Sequence, residues 1–177
     1  MGKPQIDIEV DDKTGRWRVD AMPMILVPQH FFLNNHLAVE AELGPERLAA
    51  LLRPAGQRSA YVWCEKEAAH HQLSGIEVFR HYMRRLSQRG WGQFEVSDVA
   101  TDGRTAEVRV SNSVFVDRDQ NRGAAKVCYM FAAWLEGSLE YVGASSGKSL
   151  KLIARELSCA AEGHDFCTFK VEPAAEA

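Results

Sequence analysis

A chain of 177 residues, 46% hydrophobic and 25% charged, has material for one domain with a sizeable core but not for two. Its formal net charge of −3 argues against a broad nucleic-acid footprint, and no apolar run approaches the ~18 residues that span a bilayer. The start, "MGKPQIDIEVDDKTG", carries acids early and no apolar leader, so the chain is expected in the cytoplasm without a membrane partner. In that reducing compartment cysteine pairs are more often metal ligands or buried small residues than disulfides.

"QIDIEV" and "RWRVDAM" alternate around the turn "DDKTG" and predict a β-hairpin, an N-terminal extension over residues 1–22. "PMILVP" is a short apolar run closed by Pro28. Phe32, His36, Val39 and Leu43 then recur at helical spacing up to Gly44. A second helix has Pro45 in its first turn and is expected to bend at Pro54, with "QRSAYVWCEKEAAHHQ" as a further helical segment. Ser74 is placed as the N-cap of a third helix carrying Ile76, Phe79, Met83 and Leu86, which Gly90 stops. The basic run "RHYMRRLSQR" reads as the solvated face of that helix.

"WGQFEVSDVA" and "RTAEVRVSNSVF" predict a second hairpin around "TDG". After the polar loop "DRDQNRG" comes "AAKVCYMFAAWLEGSLEYVG", with Val127, Phe131, Trp134, Leu135 and Leu139 at helical spacing. It predicts a well-buried helix that contains Cys128. "KSLKLIARELSC" and "FCTFKVEP" are the last two strands, joined by "AAEGHDF", and residues 174–177 are a frayed tail. The expected fold is a single α+β domain over residues 23–173, with helices packed on one antiparallel sheet.

Chemistry-bearing patterns are few. No Gly-rich phosphate loop, HExxH helix or nucleophile elbow is present, so none of the common enzyme classes is indicated. Cys64 and His71 would lie two helical turns apart, too far for a hydrogen-bonded dyad. In the final hairpin Cys159 and Cys167 are expected to face one another, with Cβ atoms ~4.5–5.5 Å apart. That separation suits two thiolates on zinc and also a disulfide. Glu156 stands three residues before Cys159, so on a regular strand it faces away and joins only where the strand twists or ends. His164, in the connecting loop, is a competing nitrogen ligand.

The strings "GWG" (90–92), "VSNSVF" (110–115), "VCYMFAAWLEG" (127–137) and "ELSCAAEGHDFCTFKV" (156–171) resemble the 4-vinyl reductase domain family. The last is the most specific, and the likeness extends loosely over residues 23–173. The family includes sensor domains of phenol- and xylene-responsive bacterial activators and small proteins tied to bacteriochlorophyll synthesis. Its fold is similar to that of nitric-oxide sensors and a vesicle-tethering subunit. The resemblance implies zinc on Cys128, Glu156, Cys159 and Cys167, and a homodimer.

It further implies a stand-alone sensor-type domain with an apolar interior pocket for a small hydrophobic or aromatic molecule. His81, Trp91, Phe115, Tyr129 and Trp134 are the ligand-binding candidates. Val110 stands where the phenol sensors place a tryptophan, which argues against phenol itself. The alternatives are an accessory subunit of a catabolic or tetrapyrrole-related enzyme, or a dimeric scaffold. No nucleic-acid partner is expected.

Overall fold

Ile76, Phe79, Met83 and Leu86 repeat at helical spacing because they share one side of a helix, and that side faces the core in α3 (Ile76–Gln88). In this computed structural model, which describes residues 3, 5–20, 22–116 and 125–175, three further helices and seven strands complete the fold. They are α1 (Gln29–Leu43), α2 (Pro45–His71) and α4 (Tyr129–Ser145). Four strands form the main antiparallel sheet in the order β4-β5-β7-β6. These are β4 (Gln93–Val99), β5 (Ala106–Ser111), β6 (Leu152–Ser158) and β7 (Cys167–Pro173). Alternation along β5 buries Ala106, Val108 and Val110, and along β7 it buries Phe169 and Val171, so this face of the sheet receives α4. The expected α+β architecture is the one observed.

Four local expectations are corrected. Ser74 does not cap α3; Gly75 holds that position at φ 57°, with no side-chain cap bond. The N-terminal hairpin, β1 (Glu9–Asp11) with β2 (Arg16–Val19), gains a third strand, β3 (Met22–Met24), which pairs with β2. This strand runs across residue 22, and the apolar residues after it, Ile25 and Leu26, are 82% and 75% exposed. Cys128 lies just before α4 as its N-cap residue, not within the helix.

The fourth correction is Pro54, which sits inside one continuous 27-residue α2 instead of separating two segments. A proline there removes one backbone donor and crowds the preceding turn, yet residues on both sides of it are clamped to α4. Arg53 donates to Glu136 through Nε (3.0 Å) and Nη2, and Gln57 Nε2 donates to the same carboxylate at 2.8 Å. The amide of Ala154 on β6 donates at 2.6 Å, so the fully buried Glu136 is satisfied on both oxygens. Tertiary hydrogen bonds have overridden local propensity here. Arg53→Met should therefore cost roughly 2–3 kcal/mol in urea unfolding. That is less than a fully buried pair loses, because Arg53 is 39% exposed. A change below ~0.5 kcal/mol would show that the clamp does not hold the helix.

Helix α4 is the hub. Eleven of its seventeen residues are buried, as expected of a helix enclosed by α2, α3 and the sheet. Glycines let α2 and α4 approach closely: a Cβ on Gly137 would sit 2.0 Å from the carbonyl oxygen of Gln57. Among the described residues, no helix is long and apolar enough to cross a membrane.

Candidate functional site

The final hairpin carries an irregularity that alternation alone does not reveal. Glu156 pairs with Phe169 but Ser158 pairs with Thr168, so β6 advances two residues while β7 advances one. The extra residue, Leu157, is 53% exposed, and the bulge turns Glu156 toward the same side as Cys159. Cys159 then opens a short 3-10 turn (Ala160–Glu162), in which Glu162 Oε2 accepts from the Cys159 amide at 2.9 Å. Gly163 ends the turn at φ 102°, a conformation that suits glycine. Cys167 opens β7. Cys128 reaches the cluster from the start of α4, where its amide donates to Glu156 Oε2 at 3.1 Å.

The ligand atoms of Cys128, Glu156, Cys159 and Cys167 all lie within 4.8 Å of one another. The three thiols are free and completely buried, with Sγ–Sγ distances of 3.6, 3.6 and 4.0 Å. A tetrahedron with Zn–S bonds of ~2.3 Å has edges of ~3.8 Å, so the sulfur triangle has the size that zinc requires. Glu156 Oε1 is buried without a hydrogen-bond partner, which is the expected state of an oxygen meant for a cation. His164 is exposed and stands outside the group.

Without a cation the charges are strained. Burial, followed by the hydrogen bond with Cys159, pushes the Glu156 carboxyl up to about 9. Hydrogen bonds from Cys128 and Cys167 hold the Cys159 thiol well below the usual range, while bonds to Cys159 and Cys167 hold Cys128 above it. These opposed shifts are what crowded anionic groups in one buried site produce.

A second feature is a cavity of about 280 Å³ between α2, α3 and α4. Leu52, Gly56, Ser59 and Trp63 line it from one face of α2, with Tyr82 and Leu86 from α3 and Met130 and Trp134 from α4. Arg89 and Trp91 close one side. Of the candidates read from the sequence, Trp91 and Trp134 meet here edge-to-face, with ring centroids 4.8 Å apart.

The other candidates lie elsewhere. Phe115 packs on Phe131, His36 and Phe32 at 5.0–5.7 Å. The Tyr129 hydroxyl meets His36 Nε2 at 2.9 Å and donates to Glu40 Oε2 at 2.8 Å. Burial, with Glu40 beside it, raises the Tyr129 phenol. His81 lies behind Trp63, stacked at 5.8 Å.

His81 belongs to a buried charge network. Its Nε2 meets Glu67 Oε2 at 3.0 Å, and Arg84 Nη2 meets its Nδ1 at 3.1 Å. Arginine only donates, so Nδ1 accepts and the proton sits on Nε2, pointing at Glu67. That tautomer leaves Nε2 no lone pair for a metal. His71 stands 3.4 Å from Glu67 and 3.3 Å from Asp20, whose second oxygen meets Arg85 at 2.7 Å. Trp63, Tyr82 and Arg89 were not singled out from the sequence. The signal was there: residues 52, 56, 59 and 63 follow one another at helical spacing.

Solved structures with this fold bind different ligands. The chain superposes on the phenol-responsive sensory domain of the transcription activator PoxR, crystallised with phenol, at TM-score 0.78. That match has 19% identity over 94% of this chain and 84% of that one. A trafficking protein particle complex subunit 3 from Naegleria fowleri, covalently bound to palmitic acid, matches at TM-score 0.57. It is 10% identical, over 83% and 95%. A vinyl-4-reductase family protein from Methanocaldococcus jannaschii matches at 0.53, with 14% identity over 86% and 85%. At these identities the likeness is one of fold, and it bears out the fold resemblance read from the sequence. No curated protein matches the sequence. The family described as "Domain of unknown function (DUF5943)" matches residues 2–97, which hold α1 to α3 and much of β4. Because that match spans just over half of the 177 residues, the chain belongs to the DUF5943 family.

Proposed function

We propose that this chain is a sensor-type binding module for a small apolar or aromatic molecule, with a structural zinc centre at the base of α4. The observation that carries the reading is the cavity of about 280 Å³, walled by Trp63, Tyr82, Trp91 and Trp134 at the junction of three helices. Concave, mostly apolar space with a few polar groups is what small-ligand sites require. The PoxR sensory domain, which has this fold, was crystallised with phenol, and that supports the reading.

Cys128, Glu156, Cys159 and Cys167 would hold the zinc ion, and with four protein ligands the ion would supply cross-linking but no activated water. Those ligands would tie the start of α4 to the β6–β7 hairpin. Cytoplasmic residence is consistent with four free thiols. A homodimer is part of the proposal, and light scattering tests it. Residues 1–22 are proposed as an extension to the domain.

The deciding experiment is thermal-shift screening of pure protein against aromatics, tetrapyrroles and methylated amines. A true ligand at a hundredfold excess over its Kd contributes ~2.7 kcal/mol, or roughly 5–10 °C for a chain of this size. Trp134→Ala should remove that shift. A panel that moves nothing would sink the sensor reading.

A further inference from the structure

Arg89 is the one charged side chain lining the cavity. It also lines a second space of about 290 Å³ toward Met24–Val27, where it is again the one charged lining residue. Its Nε donates to the Arg85 carbonyl at 3.1 Å, and its guanidinium carbon stands 4.9 Å over the Trp63 ring. These two contacts fix the plane and orientation of the fork. They leave the two terminal nitrogens: among the described residues neither meets a carboxylate within ion-pair distance. Glu67, the nearby acid, is engaged with His81, His71 and Arg85.

A structural role explains the Nε bond and the stacking on Trp63. It does not call for the half-buried fork to border an aromatic-walled cavity with no carboxylate on its outer edge. Partial burial holds the guanidinium below the usual arginine range, so a carboxylate partner there would favour its charged form.

Resting on the ligand-binding reading above, we infer that the ligand is a small organic monocarboxylate: its apolar body packs among Trp63, Trp91 and Trp134, and its carboxylate lies on the open edge of Arg89. A planar carboxylate matches the guanidinium fork with two parallel hydrogen bonds. One guanidinium balances one negative charge, so a phosphate dianion would bring an uncompensated charge into an apolar site. Ser59 and Tyr82 are the hydroxyl-bearing residues of the lining.

Matched probes test this on the full chain. Calorimetry or ligand-observed NMR would compare benzoate with benzamide, and 3-phenylpropanoate with 3-phenylpropanamide. Each acid should bind about tenfold or more tighter than its amide, the scale of a hydrogen-bonded charge. Arg89→Gln should erase the difference between acid and amide, while Arg89→Lys should keep part of it. Equal binding of acid and amide, or a preference that survives Arg89→Gln, overturns the carboxylate inference but leaves the cavity reading standing. No binding of either class at millimolar concentration rejects both. Should Arg89→Gln not fold, the wild-type acid-to-amide ratio decides alone.

Discussion

Replacing Cys159 with serine is expected to abolish stoichiometric zinc in protein purified without added metal, and to lower Tm by more than about 10 °C. Cys159 is one corner of the sulfur triangle, and its neighbouring 3-10 turn sets the path to Cys167. Ligation and folding are coupled wherever a site exists only in the folded chain, so the loss should appear in both readouts together. EDTA should lower the Tm of the wild type by a similar amount and leave the variant unchanged. Cys64→Ser is the control, since Cys64 is equally buried but lies outside the cluster. It should lose some stability through packing and keep its metal. Metal uptake near pH 7 should also release protons, because Cys128 and Glu156 are held protonated in the metal-free cluster. Affinity should therefore fall as the medium is acidified. Nil metal in the wild type, together with a normally folding Cys159→Ser protein, would reduce the centre to a packed hairpin.

Gly137→Ala is expected to cost more than ~3 kcal/mol, or to send the protein to the insoluble fraction. Alanine is a better helix former than glycine, so helix propensity alone predicts the opposite sign. What decides is the added Cβ, 2.0 Å from the Gln57 carbonyl oxygen and 2.7 Å from its carbonyl carbon. Both atoms are backbone, so they yield only if α2 and α4 move apart. That separation would strain the bonds of Arg53 and Gln57 to Glu136. Gly56→Ala provides the graded comparison: its Cβ would stand 2.9 Å from the Ala133 methyl and 3.3 Å from the Trp134 ring. Those are side-chain atoms with some room to give, so the cost should be smaller. A chemical-denaturation series that ranks Gly56→Ala above Gly137→Ala would refute the close-approach account.

How much of this was legible in the sequence depended on whether the signal was periodic. Helices α1, α3 and α4 and the two hairpins of the main sheet follow from spacing, because a buried face repeats at 3.6 or 2 residues. Pro54 misled because what holds α2 together is Glu136, a residue 82 positions away. Strand β3 escaped because three residues containing Pro23 carry no alternation to read. The parity of Glu156 was judged on a regular strand, and a bulge is by nature an exception to that period. Cys159 and Cys167 came from the pairing of the last hairpin, whereas Cys128 and Glu156 joined them only through resemblance. His81 came the same way, and here it is bonded to Glu67 behind Trp63. The cavity is a property of three helices meeting, so the stripe on α2 gains meaning only once α3 and α4 are placed against it. It is also telling that the DUF5943 match covers α1 to α3, whereas the four cluster residues all lie beyond it.

The start of α4 puts Cys128 two residues before Met130 and six before Trp134, so one rigid element touches both the thiol cluster and the cavity. Were zinc and a ligand both to bind, any coupling that α4 carried between them would be reciprocal by thermodynamic necessity. Whatever factor zinc contributes to ligand affinity, the ligand returns to zinc affinity. A binding curve measured on partly metallated protein would then be a sum of two isotherms. Metal occupancy is therefore a variable to fix before any ligand titration of this chain is interpreted.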